Sequence, residues 1–350
     1  MKKILAIAVA MLCACAFMFA EGEKENENLK FSLTVQAAYY PDNENLTTAP
    51  AVPLVTPLDN GAEANHYSPI IGPYSGLEGR ITPQVDYIIP TPLGDNWLVS
   101  GANVKLSGYL QITPVSLNLG GSASFTPLPF LVFSAGGEAG TGWTVPGLFE
   151  TGLGVYDNDL TSETYNHYIH SPFAMWNLKT WIQGTFQFDF GALFPGDWTH
   201  VVMQFTYQTY YKKNTAAADQ QLWMWNLAGN QVNGWYQYMN GVLAYQFPAV
   251  KVLNMAGVIF ESDGAYSDDA YSNASYQGSF KEVSLEPFVN LDLTKKDSLA
   301  LVFHWCSRRT YESRPDKNDA KNTTIPDSYF TTVGREWYFK RFAINYVHRF

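Results

Sequence analysis

Eleven ionisable residues recur on the polar side of alternating segments: Lys30, Arg80, Lys105, Arg308, Arg341 and Arg349, with Asp86, Asp189, Glu282, Glu286 and Asp292. In each segment aliphatic or aromatic residues take the intervening positions, so the charges share the face of a strand opposite an apolar one. Charge beside a low-dielectric wall is costly unless it is hydrated or paired. Two chemistries follow. Acids and bases on facing walls would impose a transverse field on a water-filled path and sort ions there. Neighbouring acids and bases would instead neutralise one another as interior salt bridges and close it. The Gln, Thr, Ser and Tyr residues of the same faces suit hydrated sugars or other small polar solutes.

Other chemistry is weakly signalled. His167 and His170 in "NHYIH" are three apart, and Asp157, Asp159 and Glu163 precede them. An EF-hand calcium loop would need a glycine after the second acidic position and a distal glutamate, and both are missing. The histidine pair lacks a convincing third ligand, so no metal site is expected. There is no Gly-rich phosphate loop and no catalytic serine motif, so no cofactor and no enzyme are expected. "HWCSRR" puts His304 and Cys306 on one strand face, where a lone buried cysteine is ordinarily inert. A net charge of -10 makes nucleic acid a poor partner.

The elements that carry these residues are strands. "LKFSLTVQA" sets Leu29, Phe31, Leu33 and Val35 against Lys30, Ser32, Thr34 and Gln36. "KEVSLEPFVNLDL" sets Val283, Leu285, Val289 and Leu291 against Glu282, Ser284, Glu286, Asn290 and Asp292. Segments of this kind recur from one end of the chain to the other, about twelve in all, with ten or fourteen as alternatives. "FLVFSAGGEAG" is a weaker strand, and "VLNMAGVIFE" has a blurred phase. Tight turns ("PTPLGDN", "TPLP", "FPGDW", "FPAV", "TKKDS") alternate with long polar stretches near residues 42–78, 144–177, 212–234, 263–278 and 312–334. Only the connection at Thr113 and Pro114 is short on the long side. The long stretch at 144–177 has the length to fold into a barrel mouth. "LWMWNLAGNQVNGWYQY" reads as a hairpin rising above the rim, with Trp223, Trp225 and Trp235 exposed for contact. No later segment approaches ~20 consecutive apolar residues, so an aromatic-rich chain of this kind has one membrane architecture open to it, the closed β-barrel. A soluble all-β fold is the alternative.

The opening "MKKILAIAVAMLCACAFMFAEGE" reads as a secretory signal over residues 1–20, with Lys2 and Lys3 before an apolar stretch and Ala20 before the expected cut. Residues 21–350 then form one domain with Cys306 as its single cysteine and no intrachain disulfide. "LCAC" resembles a lipobox at Cys15, but the apolar run continues beyond it, which argues against lipidation.

The last segment alternates Phe342, Ile344, Tyr346, His348 and Phe350 with Arg341, Ala343, Asn345, Val347 and Arg349. This resembles the C-terminal signal strand of bacterial outer-membrane β-barrel proteins. His348 departs from the aromatic residue usual there. The resemblance implies a membrane-spanning, antiparallel up-and-down barrel in the outer membrane, with both termini periplasmic. It further implies that Phe342, Ile344, Tyr346 and Phe350 are read by the barrel assembly machinery, with membrane lipids as the other partner. Neither His304 nor His348 has the Ser and Asn partners that barrel phospholipases use. A porin-like channel for small polar solutes, lined by the charges above, is the leading functional expectation. A surface adhesin or a structural barrel with a plugged lumen is the rival, and oligomeric state is left open.

Overall fold

The structure is a computed structural model that describes residues 28–43, 75–145, 152–156, 168–169, 172–194, 196, 198–219, 221, 223–226, 228–248, 250, 252–268, 270, 277–315 and 328–350. The expected signal segment and Cys15 lie outside the described residues.

Twelve long strands close into a barrel. They are β1 (Leu29–Tyr40), β2 (Gly76–Pro90), β3 (Asn103–Thr113), β4 (Ser116–Leu128), β5 (Leu131–Gly142), β8 (Asn177–Asp189), β9 (Val201–Asn214), β12 (Gly234–Gln246), β13 (Leu253–Ala265), β14 (Glu282–Asp292), β15 (Asp297–Pro315) and β16 (Ser328–Arg349). Each pairs antiparallel with the next in chain order, and β16 returns to β1. The closing register runs from Ser32 opposite Arg349 to Tyr39 opposite Phe342. Four shorter strands, β6 (Leu153–Tyr156), β7 (Tyr168–Ile169), β10 (Trp223–Trp225) and β11 (Ala228–Gln231), form a separate sheet in the order β11-β10-β6-β7. The fold is therefore all-β, and the expected strand count of about twelve holds.

The alternation decides which side chain goes where, because successive residues of a strand point to opposite faces. Val35, Val85, Leu106, Phe125, Phe133, Ile182, Phe205, Leu243, Phe260, Leu285 and Ile344 all stand exposed on the outer surface. A continuous apolar band of this extent has no place on a water-soluble surface. Aromatic residues bound it at both ends. Tyr87, Trp97, Phe194, Trp198 and Phe350 lie near the rim of tight turns, and Tyr39, Trp235, Trp305 and Trp337 lie toward the rim of long connections. Closure leaves the barrel wall without a free sheet edge, which hydrocarbon surroundings demand. The hairpin of β15 and β16 runs farther than its alternation indicated. Its backbone ladder continues from Asp297–His348 out to Pro315–Ser328, with register shifts at His304/Trp305 and Thr310/Tyr311.

Candidate functional site

The inward face is unevenly filled. On one side, strands β12 to β2 (through β16 and β1) carry large polar side chains at the same height. The Arg341 guanidinium donates to the Tyr40 hydroxyl at 3.0 Å and lies 3.7 Å from Glu78. Tyr40 donates to Glu78 at 2.5 Å, and Arg80 donates to the same carboxylate at 2.9 Å. His304 Nδ1 lies 3.1 Å from Glu286 Oε1, and both residues are buried. Tyr238 and Asn240 donate to Glu261, which stands on β13 beside Glu286. One row nearer the tight-turn rim, Ala38, Val302 and Ala343 pack with Phe288 inside the barrel and reach up to Tyr40. Hydrogen bonds to charged groups contribute about 1.5–3 kcal/mol where water is excluded. The Arg341 and Glu78 side chains keep about a fifth of their surface exposed, so the lower end applies here. Cys306, free and buried, sits on the same wall with its Sγ toward the Ser307 carbonyl.

Strands β3, β4, β5, β8 and β9 form the other side, and there the inward positions of β4 and β5 are mostly small. Tyr109 lies directly across from Gly120, and Trp181 across from Gly136. A Cβ at either glycine would collide with the facing ring, so the rings lie flat on the wall because the glycines leave them room. Serine and threonine pairs bridge the strands: Ser134 donates to Ser124 at 2.9 Å, and Thr185 meets Thr206 at 3.0 Å. The result is a recess of about 350 Å³, open to the lumen and lined by Tyr109, Glu138, Lys179, Trp181, Gln183 and Gln208 among others.

The short sheet closes over the long-connection end of this second wall. Trp225 packs its ring against inward-facing Gly140, 2.6 Å from where a Cβ would stand. Gln231 of β11 accepts from the Lys212 ammonium, which also lies 3.7 Å from the centre of the Tyr236 ring. The sheet has its own small core of Leu153, Val155, Met175, Ala217 and Trp223. The hairpin expected from "LWMWNLAGNQ" is present, but the exposure expected for its tryptophans is corrected. Trp223 is 1 % exposed and Trp225 packs against the same core, because the hairpin pairs with β6 instead of standing free. Trp235 is exposed, on the outer face of β12.

The residues singled out by sequence separate into groups. Arg80, Glu286 and Arg341 belong to the crowded wall, and Arg308 pairs with Glu336 at 2.5 Å above them. Glu282 is exposed and paired across the ladder with Asp263. Lys30 and Asp86 are opposite one another near the tight-turn rim, and Gln84 donates to Asp86 at 3.0 Å. Lys105 faces Ser124 across the β3–β4 ladder. Asp292 accepts from Asn254 at 2.5 Å, and Arg349 is exposed opposite Ser32. Asp189 departs from the expected wall position. It ends β8, caps the short 3-10 turn Phe190–Ala192 through the Gly191 amide, and meets His200 at 2.7 Å. Phe342, Ile344, Tyr346 and Phe350 share the outer face of β16, and the Phe350 amide donates to the Phe31 carbonyl. Asp157, Asp159, Glu163, His167 and His170 lie outside the described residues.

Sequence reasoning did not single out Tyr40, Glu78, Tyr109, Glu138, Lys179, Trp181, Lys212 or Glu261. Strict extension of the alternation through the glycine-rich segment would have put Glu138 inside, two residues from Gly136 and Gly140.

No protein-family model matches the chain, and no curated protein does. Among solved structures it is similar to a Pseudomonas aeruginosa FadL homologue, with 10% identity and a TM-score of 0.30 over 92% of this chain and 90% of that one. It is also similar to Pseudomonas aeruginosa OccK2 (OpdF), with 9% identity and a TM-score of 0.22 over 93% of this chain and 97% of that one. Likenesses this distant add nothing to the geometry, and the assignment as a closed twelve-stranded barrel rests on the strand pairing itself.

Proposed function

We propose that the protein is a non-enzymatic outer-membrane channel that passes small polar solutes by passive diffusion. The observation that carries this is the inversion of the fold. The outside is apolar between two aromatic belts, while the inside is polar with a recess of about 350 Å³ along one wall. The tight-turn rim would face the periplasm with both termini, and the long connections would face outward. Membrane lipids and the assembly machinery are the proposed partners of the outer face and of the last strand. Conductance of the purified protein in planar bilayers tests the reading, and stable stepwise currents are expected. Epitope tags near Asn158, Asp268 and Asn318 should be reached by antibody on intact cells, and a tag in the 294–298 turn should not be.

The plugged alternative, an adhesin or structural barrel, has one observation in its favour: the β11-β10-β6-β7 sheet folded over the mouth. Replacing residues 218–232 by a short turn discriminates. If neither wild type nor this variant conducts, the channel reading is wrong.

A further inference from the structure

Glu138 and Lys179 are directly opposed across the β5–β8 ladder, on the inward face. Such a pair would ordinarily form a salt bridge. Neither makes one among the described residues. Glu138 accepts a hydrogen bond from the Tyr109 hydroxyl at 2.7 Å. The Lys179 ammonium instead sits over the Tyr210 ring at 4.3 Å and near the Trp181 ring at 5.8 Å. Both charged groups therefore remain available to the recess between them. Gln183 and Gln208 add a carboxamide pair, joined at 2.9 Å, with hydrogen-bonding capacity left over on both. The Trp181 and Tyr109 rings lie flat on Gly136 and Gly120 and line the same recess.

Resting on the channel reading, we propose that this recess is a binding site for a neutral polyhydroxylated ring, a mono- or disaccharide. Two features of the site select that class. A carboxylate acceptor, an ammonium donor and two carboxamides match hydroxyl groups, each of which both donates and accepts. One negative and one positive group leave the recess without net charge, so an anion or a cation that gains from one is opposed by the other. The volume of about 350 Å³ falls at the small end of ligand pockets. Glycine at 120 and 136 is then part of the binding design, because any side chain there would displace the rings.

The test measures binding directly, so that it does not depend on conduction. Equilibrium dialysis of the detergent-solubilised protein against radiolabelled glucose and maltose, with glycine and sulfate as competitors, gives the affinities. Saturable sugar binding is expected, weakened at least tenfold in Trp181→Ala and in Glu138→Gln and unchanged in Trp235→Ala. A gel-mobility difference between boiled and unboiled samples checks that each variant is folded, and Lys179→Met serves if Trp181→Ala is not. Absent sugar binding, equal binding in the folded variants, or tighter binding of sulfate or glycine overturns the proposal. A protein that conducts without binding sugar retains the channel reading and loses this one. A protein that binds sugar without conducting does the reverse.

Discussion

The two walls of the lumen are built alike, from antiparallel strands of one barrel, yet one is filled and the other hollow. From β12 round to β2 the inward positions hold Tyr238, Glu261, Glu286, His304, Arg341, Tyr40 and Glu78, which bond to neighbours on adjacent strands, with Arg341, Tyr40 and Glu78 spanning the seam of the barrel. From β3 to β9 the wall is hollowed at β4 and β5, whose inward positions hold Gly120, Ser122, Ser124, Ser134, Gly136 and Gly140, while Tyr109 and Trp181 lie flat and Lys179, Gln183 and Gln208 border the hollow. Strand number alone does not set whether such a barrel is open. Residue size at alternate positions does, one wall at a time.

The largest expected effect breaks the crowded wall. Arg341→Ala leaves Glu78 and Tyr40 without their shared donor, and about 2–3 kcal/mol of stability should be lost. This lies below the range for fully buried pairs because the groups are partly hydrated. The temperature at which the folded form disappears on unboiled gels should fall, while Lys179→Ala on the hollow wall leaves it nearly unchanged. Equal losses in both would erase the distinction between the walls.

Next comes the seam itself. Deleting Phe350 removes one ladder bond to Phe31 and one exposed aromatic ring. The finished barrel should melt within about 1 kcal/mol of wild type, while the amount inserted in the outer membrane falls several-fold. Wild-type amounts after deletion would count against recognition of the last strand by the assembly machinery.

A smaller effect compares carboxylates. Glu286 lies against His304 and Glu261, and Arg341 keeps Glu78 and Tyr40, so Glu286→Gln strands no arginine. Glu138→Gln removes a negative charge from the recess. If solutes follow the hollow wall, Glu138→Gln should shift reversal potentials toward anions more than Glu286→Gln does. The reverse order would move the path to the other wall.

The smallest effect concerns pH at the tight-turn rim. Hydrogen bonds from His348, Thr294 and Tyr346 hold the Asp297 carboxyl below its usual range, and His200 does the same for Asp189. A carboxyl depressed in the folded state contributes stability above its unfolded pKa, about 3.9. That contribution fades as pH falls through the lower folded value. Carboxyl NMR titration should place both groups lower in wild type than in His348→Ala or His200→Ala respectively.

Strand count, phase and the two kinds of rim were legible because alternation repeats so many times that local errors cancel. Glu286, His304, Arg308 and Arg341 were placed inside on that basis. The hollow wall was not legible. Its signal is an absence of side chains, and in "FLVFSAGGEAG" glycine also weakens the strand pattern that would have fixed the phase of Glu138. "VLNMAGVIFE" hid Glu261 because Ile259, an apolar residue, shares its inward face. The buried tryptophans of β10 were misplaced for a different reason: their partner strand β6 lies some seventy residues earlier, beyond any local pattern.

Cys306 gives the barrel an internal reporter. It is the single sulfhydryl after residue 15 and is buried in the lumen wall opposite Ser284 and Tyr338. If the interior conducts, thiol reagents of graded diameter and charge that enter it would gauge the width and polarity of the bore at this height without a single engineered residue.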